Sequence, residues 1–315
     1  MEVIRSLSQL RPQHRECVAT IGNFDGIHLG HQAVFARLIE QAQSLKLPAV
    51  IISFEPQPQE FFAPEQAPSR LTRLREKIQQ LRAFPLQRLL CLRFNASLAN
   101  LSAADFIQQV LVEGLAVRYL IVGDDFRFGK GRQGDFSLLQ AAGQQHGFAV
   151  EHTPTFMLQG GRVSSTRVRE ALSRGNMDAA KRLLGRPYSL SGRVAHGRQL
   201  GRQLGFPTAN IHLHRHSVPV SGVFAVSVSG VGAQALPGVA NIGVRPTLDG
   251  AGMRPLLEVH LFDFQADIYG AQVEVGLLKW LRGEQKFSSL DALKAQIQQD
   301  SAQARAFWLE NSRQT

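Results

Sequence analysis

The sequence predicts an α/β protein in two parts: a parallel sheet with helices on both faces, then a small antiparallel β-barrel and a C-terminal helix. Three observations predict it. Up to about residue 151, apolar runs of strand length alternate with longer stretches of helical period, the pattern of successive strand–helix–strand units. Beyond Pro187, short strands follow one another, broken by Gly, Pro and Asp. The chain has 315 residues, above the roughly 100–200 of a usual domain, so two domains are expected.

Cys17 to Ile21 reads as a short apolar strand. His31 to Leu45 carries Val34, Phe35, Leu38, Ile39 and Ala42 at helical spacing. Ala49 to Phe54 is a continuous apolar and β-branched run, as in a strand covered on both faces. Arg70 to Leu81 is helical, Leu89 to Phe94 a strand, and Ala103 to Leu111 helical after Ser102. Tyr119 to Val122 is a strand, Asp135 to His146 a helix and Phe148 to Glu151 a strand. Two short helices, Ser165 to Ser173 and Asp178 to Leu184, lead to a change of pattern at Gly185-Arg186-Pro187. The domain boundary is placed there, giving residues 1–185 and 186–315. Strands follow at Ser189 to Val194, Val223 to Val228, Ala235 to Ile242, Leu256 to Phe264 and Val273 to Leu281. The tail from Leu290 to Leu309 is helical, with Leu290, Leu293, Ile297, Ala304 and Phe307 on an approximate stripe.

The formal net charge of +10 favours anionic partners: nucleic acid, an acidic membrane or phosphorylated small molecules. The basic residues form no long run, which speaks against a nucleic-acid arm. Cys17 and Cys91 each lie in an apolar run and no CxxC occurs, so buried inert thiols are expected rather than a zinc site or disulfide. The N-terminus has no apolar signal region, and no run of about 18 apolar residues exists. A reducing, cytoplasmic setting is therefore expected, with neither nucleic acid nor membrane as partner.

Two segments carry phosphate chemistry. The first is Gly22-Asn23-Phe24-Asp25-Gly26-Ile27-His28-Leu29-Gly30-His31, directly after the first strand. Gly22 and Gly26 allow a tight turn close to a phosphate, and Gly30 opens a helix whose N-terminus favours an anion. His28 and His31 are three apart, so both imidazoles face one phosphate if the first turn includes both. A bare HxxH also fits a metal pair, and Asp25 fits either a turn or a substrate-orienting role. Ser164-Ser165-Thr166-Arg167-Val168-Arg169 opens a later helix, where Ser and Thr serve as caps or hold a phosphate beside a guanidinium. Gly123-Asp124-Asp125-Phe126-Arg127-Phe128-Gly129-Lys130-Gly131-Arg132 follows a strand at its C-terminal end, where open α/β sheets bind ligands. Its aromatic and basic residues suit a flat ring and a phosphate.

The second segment runs from Gly192 to Asn210. Gly197, Gly201 and Gly205 would line a loop over nucleotide phosphates. The Thr208 hydroxyl and Asn210 amide oxygen are hard donors suited to Mg²⁺. No Walker Gly-Lys-Ser/Thr is present. Along Leu257 to Phe264 the residues alternate, with Glu258, His260 and Phe262 on one face. Glu258 is either a surface carboxylate or a base that accepts a hydroxyl proton. His212, His214 and His216 alternate without an accompanying carboxylate or cysteine and read as an exposed strand end or loop.

Eight segments in order resemble the bacterial bifunctional FAD synthetases, in which riboflavin kinase is joined to FMN adenylyltransferase. They are GNFDGIHLGH, FEPQPQEFF (Phe54 to Phe62), GDDFRFGKGRQGD (Gly123 to Asp135), SSTRVR, LGRPYSLSGRV (Leu184 to Val194), GRQLGFPTAN, NIGVRPT (Asn241 to Thr247) and LEVHLFDF. The resemblance covers essentially the whole chain. It implies a Rossmann-like nucleotidyltransferase domain and a six-stranded riboflavin kinase barrel. It implies ATP and riboflavin, FMN and FAD as substrates and products, with Mg²⁺. His28 and His31 would assist adenylyl transfer; Gly22, Asn23, Phe24, Asp25, Gly30, Ser164, Ser165, Thr166 and Arg169 would hold ATP. Asp125, Phe126, Phe128 and Arg132 would contact the flavin. Thr208 and Asn210 would hold the metal, and Glu258 would be the general base of the kinase. Flavoprotein acceptors of FAD are compatible with this reading, though no motif indicates them. The chain departs from the family pattern at Arg198-Gln199-Leu200, where relatives often carry an acidic residue, and in the His-rich stretch 212–216.

Two rivals stand beside this reading. One is a nucleotidyltransferase for another phosphorylated substrate, which the GFPTAN segment and the second domain count against. The other is an RNA-binding protein, since HxGH resembles the HIGH signature of class I tRNA synthetases; no KMSKS follows it.

Overall fold

The computed structural model describes residues 1–196, 205–246 and 253–312. By packing, the chain divides into two units: Met1–Pro68 with Thr72–Ser164, and Ser69–Leu71 with Ser165–Thr315.

The first unit is built on six parallel strands, β1 (Glu2–Ile4), β2 (Cys17–Ile21), β3 (Ala49–Glu55), β4 (Arg88–Arg93), β5 (Val117–Gly123) and β6 (Ala149–Thr153). Their spatial order is β1-β4-β3-β2-β5-β6. Strand residues point alternately to two helix layers, which is why the central strands are apolar throughout. Ala19, Ile21, Val50, Ile52, Leu90 and Val122 pack with Phe106, Val110, Leu111 and Leu139 on one face. Val18, Ile51, Leu89, Cys91 and Ile121 pack with Phe35, Leu38 and Leu81 on the other. Neither cysteine forms a disulfide and both are buried; burial pushes the Cys17 thiol up to about 12, so it stays protonated and unreactive.

The helices of this unit are α1 (Leu29–Leu45), α2 (Pro58–Phe62), α3 (Leu74–Leu81), α4 (Ala96–Ala99), α5 (Ala103–Phe106) and α6 (Phe136–His146). α5 continues as a π-helix over Ile107–Gly114, longer and wider than the helix expected over 103–111. α6 starts where the sequence places it, because Asp135 accepts the Leu138 amide at 3.0 Å, and it ends at Gly147. α3 begins four residues later than expected. Thr72 is hydrogen-bonded to Asp25, and Glu76 caps the Arg73 amide at 2.7 Å, so residues 70–73 are not helical. A short hairpin, β7 (Met157–Leu158) and β8 (Gly161–Arg162), follows β6.

The second unit opens with α7 (Ser165–Ser173) and α8 (Met177–Leu184). A closed antiparallel barrel follows, formed by β9 (Tyr188–Ala195), β10 (Ala209–His212), β11 (Gly222–Ser229), β12 (Leu236–Pro246), β13 (Met253–Leu261) and β14 (Gln272–Arg282) in the order β10-β13-β12-β11-β14-β9. Phe224, Ile242, Leu257, Val259 and Ile211 alternate into its interior and are almost fully buried. α9 (Leu290–Ser312) lies on the outside, where Ala304 packs with Val223, Ala225, Val239 and Phe262. Asp300, 4% exposed, accepts a two-pronged bond from Arg282 at 2.9 and 2.7 Å and ties α9 to β14.

The Rossmann-like sheet, the barrel and the C-terminal helix are all present. The sixth barrel strand, β10, is the one that periodicity did not reveal. Its Ala-Asn-Ile-His sequence is short and poor in strand-forming residues, and it is held by ladders to β9 and β13. The packing division falls between Ser164 and Ser165, whereas the change of sequence pattern falls at 185/186. The difference is α7 and α8: Met177, Ala180, Leu183 and Leu184 are buried within the unit that contains the barrel.

Candidate active sites

In the first unit the chain leaves the sheet after β2. The Gly22 amide still bonds to the Ile52 carbonyl at 3.0 Å, extending the ladder by one residue. The loop then passes through positive φ at Phe24 (48°), Gly26 (82°) and Ile27 (42°). Such a conformation is unfavourable for Phe and Ile, and both side chains are buried with Phe35 and Leu38, which offsets it. Asp25, 3% exposed, accepts from the Thr72 amide at 2.9 Å and the Thr72 hydroxyl at 3.1 Å, while the Gly26 amide donates to that hydroxyl at 3.0 Å. Of the two roles open to Asp25 in the sequence, the carboxylate is seen holding the turn. Fully buried Lys77 donates from Nζ to the Asn23 carbonyl at 2.6 Å.

His28 is the N-cap of α1, and its Nδ1 accepts the His31 amide at 3.3 Å. With Nδ1 accepting, the proton of a neutral His28 is on Nε2. The two imidazoles stack with centroids 3.6 Å apart at 17°. Gly30 permits this: a Cβ there would meet the His28 ring at 3.2 Å and the Val163 carbonyl oxygen at 3.3 Å. Burial, then the neighbouring His28 and Lys77, hold His31 well below the ordinary histidine value, so it is neutral at physiological pH. The arrangement is a pair of stacked imidazoles at a helix N-terminus, where phosphoryl oxygens are favoured.

β2 and β5 are neighbours at the point where the strand order switches direction, and their C-terminal loops flank the crevice there. The loop after β5 is the Gly123–Asp135 segment. Asp124 accepts from the Thr155 hydroxyl at 2.9 Å and meets His152 Nδ1 at 3.0 Å. Asp125 is exposed and pairs with Arg162 at 2.7 Å; Arg132 is exposed. Phe126 stacks on Phe128, with centroids 5.5 Å apart. Phe128 is 8% exposed and packs in the core against Phe106, so its ring anchors the loop, while Phe126 is half-buried against the same core.

An aromatic cluster that includes the end of the FEPQPQEFF motif lies past the ends of β3 and β4. Phe61 and Phe62 of α2 meet Phe94 edge-on at 5.5 and 5.6 Å and are 38% and 66% exposed. Alternation within FEPQPQEFF could not show that these rings would gather. The SSTRVR segment is divided: Ser164 closes the first unit, while Ser165, Thr166 and Arg169 belong to α7 in the second. There Arg169 Nε donates to the Ser69 carbonyl at 2.7 Å.

In the second unit, strand register sets out one row on the outer barrel wall. Asn210 on β10 stands opposite Glu258 on β13, which stands opposite Asn241 on β12. Leu257 and Val259 point inward, so Glu258 and His260 face outward, as alternation predicted. His260 Nδ1 lies 2.9 Å from the Pro207 carbonyl and holds the entry to β10 in place. Thr208 lies two residues before Asn210. Gly205 is exposed at φ 88°; Gly197 and Gly201 lie outside the described residues. Among the described residues, no group of three or more His, Cys, Asp or Glu is placed to hold a metal. Thr208 and Asn210 offer instead a hydroxyl and an amide oxygen, which suits a magnesium ion that retains water and phosphate ligands. His212, His214 and His216 are exposed because Leu213 and Arg215 between them are buried, Arg215 donating to the Arg70 carbonyl at 2.9 Å.

Residues 10–167 match the family model for FAD synthetase, and residues 184–308 that for riboflavin kinase. The bifunctional riboflavin kinase/FMN adenylyltransferase of Pseudomonas fluorescens is 54% identical over 306 residues, 97% of each chain. The chain belongs to this bifunctional family. The riboflavin kinase/FMN adenylyltransferase of Escherichia coli K12 is 52% identical over 309 residues, 98% of each chain. A crystal structure from Streptococcus pneumoniae, described as a macrolide-efflux protein, is 31% identical with a TM-score of 0.80, covering 95% of this chain and 96% of that one. The transport its description names is a statement about that protein. In the present chain, no helix among the described residues is long and apolar enough to cross a membrane. As a riboflavin kinase/FMN adenylyltransferase, the chain makes FMN from riboflavin and FAD from FMN, with ATP and flavins as substrates.

Proposed function

We propose that the two activities divide between the two clusters described above. The adenylyltransferase module is residues 1–185 and the kinase module residues 186–315, the boundary following the change of sequence pattern rather than the packing division. The observation that carries the division is that each cluster is assembled inside a different packing unit: the histidine pair in the first, the Asn210–Glu258–Asn241 row in the second.

In adenylyl transfer, an FMN phosphate oxygen attacks the α-phosphorus of ATP and pyrophosphate leaves. His28 Nε2–H and the neutral His31 donate to the phosphoryl oxygens as negative charge builds there, assisted by the N-terminus of α1. No protein nucleophile is required, because orientation and charge stabilisation suffice. Gly22, Asn23, Phe24, Asp25 and Gly30 shape the loop that cradles the nucleotide. Ser164, Ser165, Thr166 and Arg169 hold ATP phosphates, and Asp125, Phe126 and Arg132 contact the flavin.

In the kinase step, Glu258 accepts the proton of the riboflavin 5′-hydroxyl as its oxygen bonds to the γ-phosphorus and ADP leaves. Thr208 and Asn210 would hold Mg²⁺, which when bound would neutralise phosphate charge. Two buried cysteines outside any disulfide support a reducing compartment, the cytoplasm.

The test is product analysis by chromatography after incubation with riboflavin, ATP and Mg²⁺. His28→Ala and His31→Ala each lower FAD formation by about 10²–10³ while FMN formation stays near normal. Equal loss of both products from a folded variant contradicts the division.

A further inference from the structure

One side chain in the first unit breaks the pattern of its own helix. The apolar face of α3 runs through Leu74, Ile78 and Leu81, which pack in the core beneath the sheet. Lys77 is within that face and has no exposed surface. Packing alone would be served by leucine or methionine, with no ammonium to desolvate. The lysine is instead held by polar atoms. Its Nζ donates to the Asn23 carbonyl at 2.6 Å, at the short end of charge-assisted bonds, and is 3.5 Å from Ser53 Oγ. Ser53 Oγ reaches the same carbonyl at 3.5 Å. Helix α3, strand β3 and the loop bearing the histidine pair therefore meet at one carbonyl oxygen.

We propose that Lys77 is a positioning residue for adenylyl transfer: its buried charge fixes the Gly22–His31 loop through Asn23 and sets a preorganised positive field beneath His28 and His31. The inference rests on the assignment of adenylyl transfer to that pair. A fixed cation in a low-dielectric site stabilises charge growing on phosphoryl oxygens without reorganising during the reaction. The same field acts with burial and His28 in keeping His31 unprotonated, which leaves the imidazole a neutral donor. Nothing in this role requires Lys77 to touch substrate.

The test uses the full chain with Lys77→Gln, which keeps a hydrogen-bond donor without the charge, and Lys77→Arg, which keeps the charge. For Lys77→Gln, kcat for FAD formation falls about 10–100-fold, with KM for ATP within about threefold and riboflavin phosphorylation unchanged. Lys77→Arg recovers part of the loss. A wild-type kcat in Lys77→Gln, a change confined to KM, or equal losses in Gln and Arg variants overturns the proposal. His28→Ala is assayed alongside. If His28→Ala lowers FAD formation by about 10²–10³ while Lys77→Gln keeps the wild-type kcat, the inference fails alone; if His28→Ala forms FAD at the wild-type rate, the underlying site assignment fails. Nitrogen-15 lysine NMR of the wild-type chain decides the matter even if a variant does not fold. A buried ammonium signal persisting at pH 8 supports the proposal, and a neutral amine at that pH overturns it.

Discussion

His31 couples the chemistry of the first unit to its stability. Its Nδ1 is buried without a hydrogen-bond partner, and its folded-state pKa lies well below the ordinary value of 6.5. The unfolded chain therefore takes up a proton, as pH falls through about 6.5, that the folded chain refuses. Stability attributable to this residue is present above that pH and declines below it, until the folded-state pKa is reached, by at most about 1.4 kcal/mol per pH unit. Urea unfolding of the first unit at pH 7.5 and 5.5 measures the effect. His31→Gln loses less stability on acidification than wild type; an identical loss in both would assign the pH dependence elsewhere. The HxGH spacing made both histidines legible in the sequence, because glycines and imidazoles at a strand–helix junction have few other uses. Lys77 was not legible, since a lysine within an amphipathic helix normally reaches solvent. The sign available was its place between Leu74 and Ile78 on the apolar side. Phe128 was read as a flavin contact because an aromatic in a ligand loop and an aromatic anchoring that loop have the same local sequence.

Elements were legible where local sequence determines them. The strand cores and α6 follow from apolar runs and the Asp135 cap. They were not legible where distant partners decide: α3 starts late because Thr72 is committed to Asp25, and β10 exists because β9 and β13 flank it. α8 combines both kinds of control. Asn176 caps it by accepting the Ala179 amide at 3.0 Å, and Gly185 ends it at φ 74°. Asn176→Ala removes the cap and should cost about 1 kcal/mol, read as a lower thermal midpoint for the second unit with FMN formation retained at 25 °C. An unchanged midpoint would mean that packing of Met177, Ala180, Leu183 and Leu184 alone sets the stability of this helix.

Across the whole molecule, the order of motifs announced two phosphate sites, while the place of α7 and α8 came only from packing, because period and amphipathicity do not name a helix's partner. This bears on dissection of the chain. A fragment from Ser165 to Thr315 keeps the buried face of α8 covered, whereas one from Arg186 strips it from the barrel. Both should form FMN and neither FAD, with the longer fragment having the higher thermal midpoint; FAD formation by either, or equal midpoints, contradicts the account. The central claim is that separate clusters in one chain perform the two reactions, and Glu258→Gln tests it most directly. This change keeps shape and hydrogen bonding and removes the base, so riboflavin phosphorylation falls by about 10²–10⁴. Assayed with riboflavin or with FMN as the starting flavin, the variant is predicted to lose FMN formation while converting supplied FMN to FAD at the wild-type rate. Wild-type phosphorylation of riboflavin, or an equal loss of both conversions in a folded protein, would contradict it.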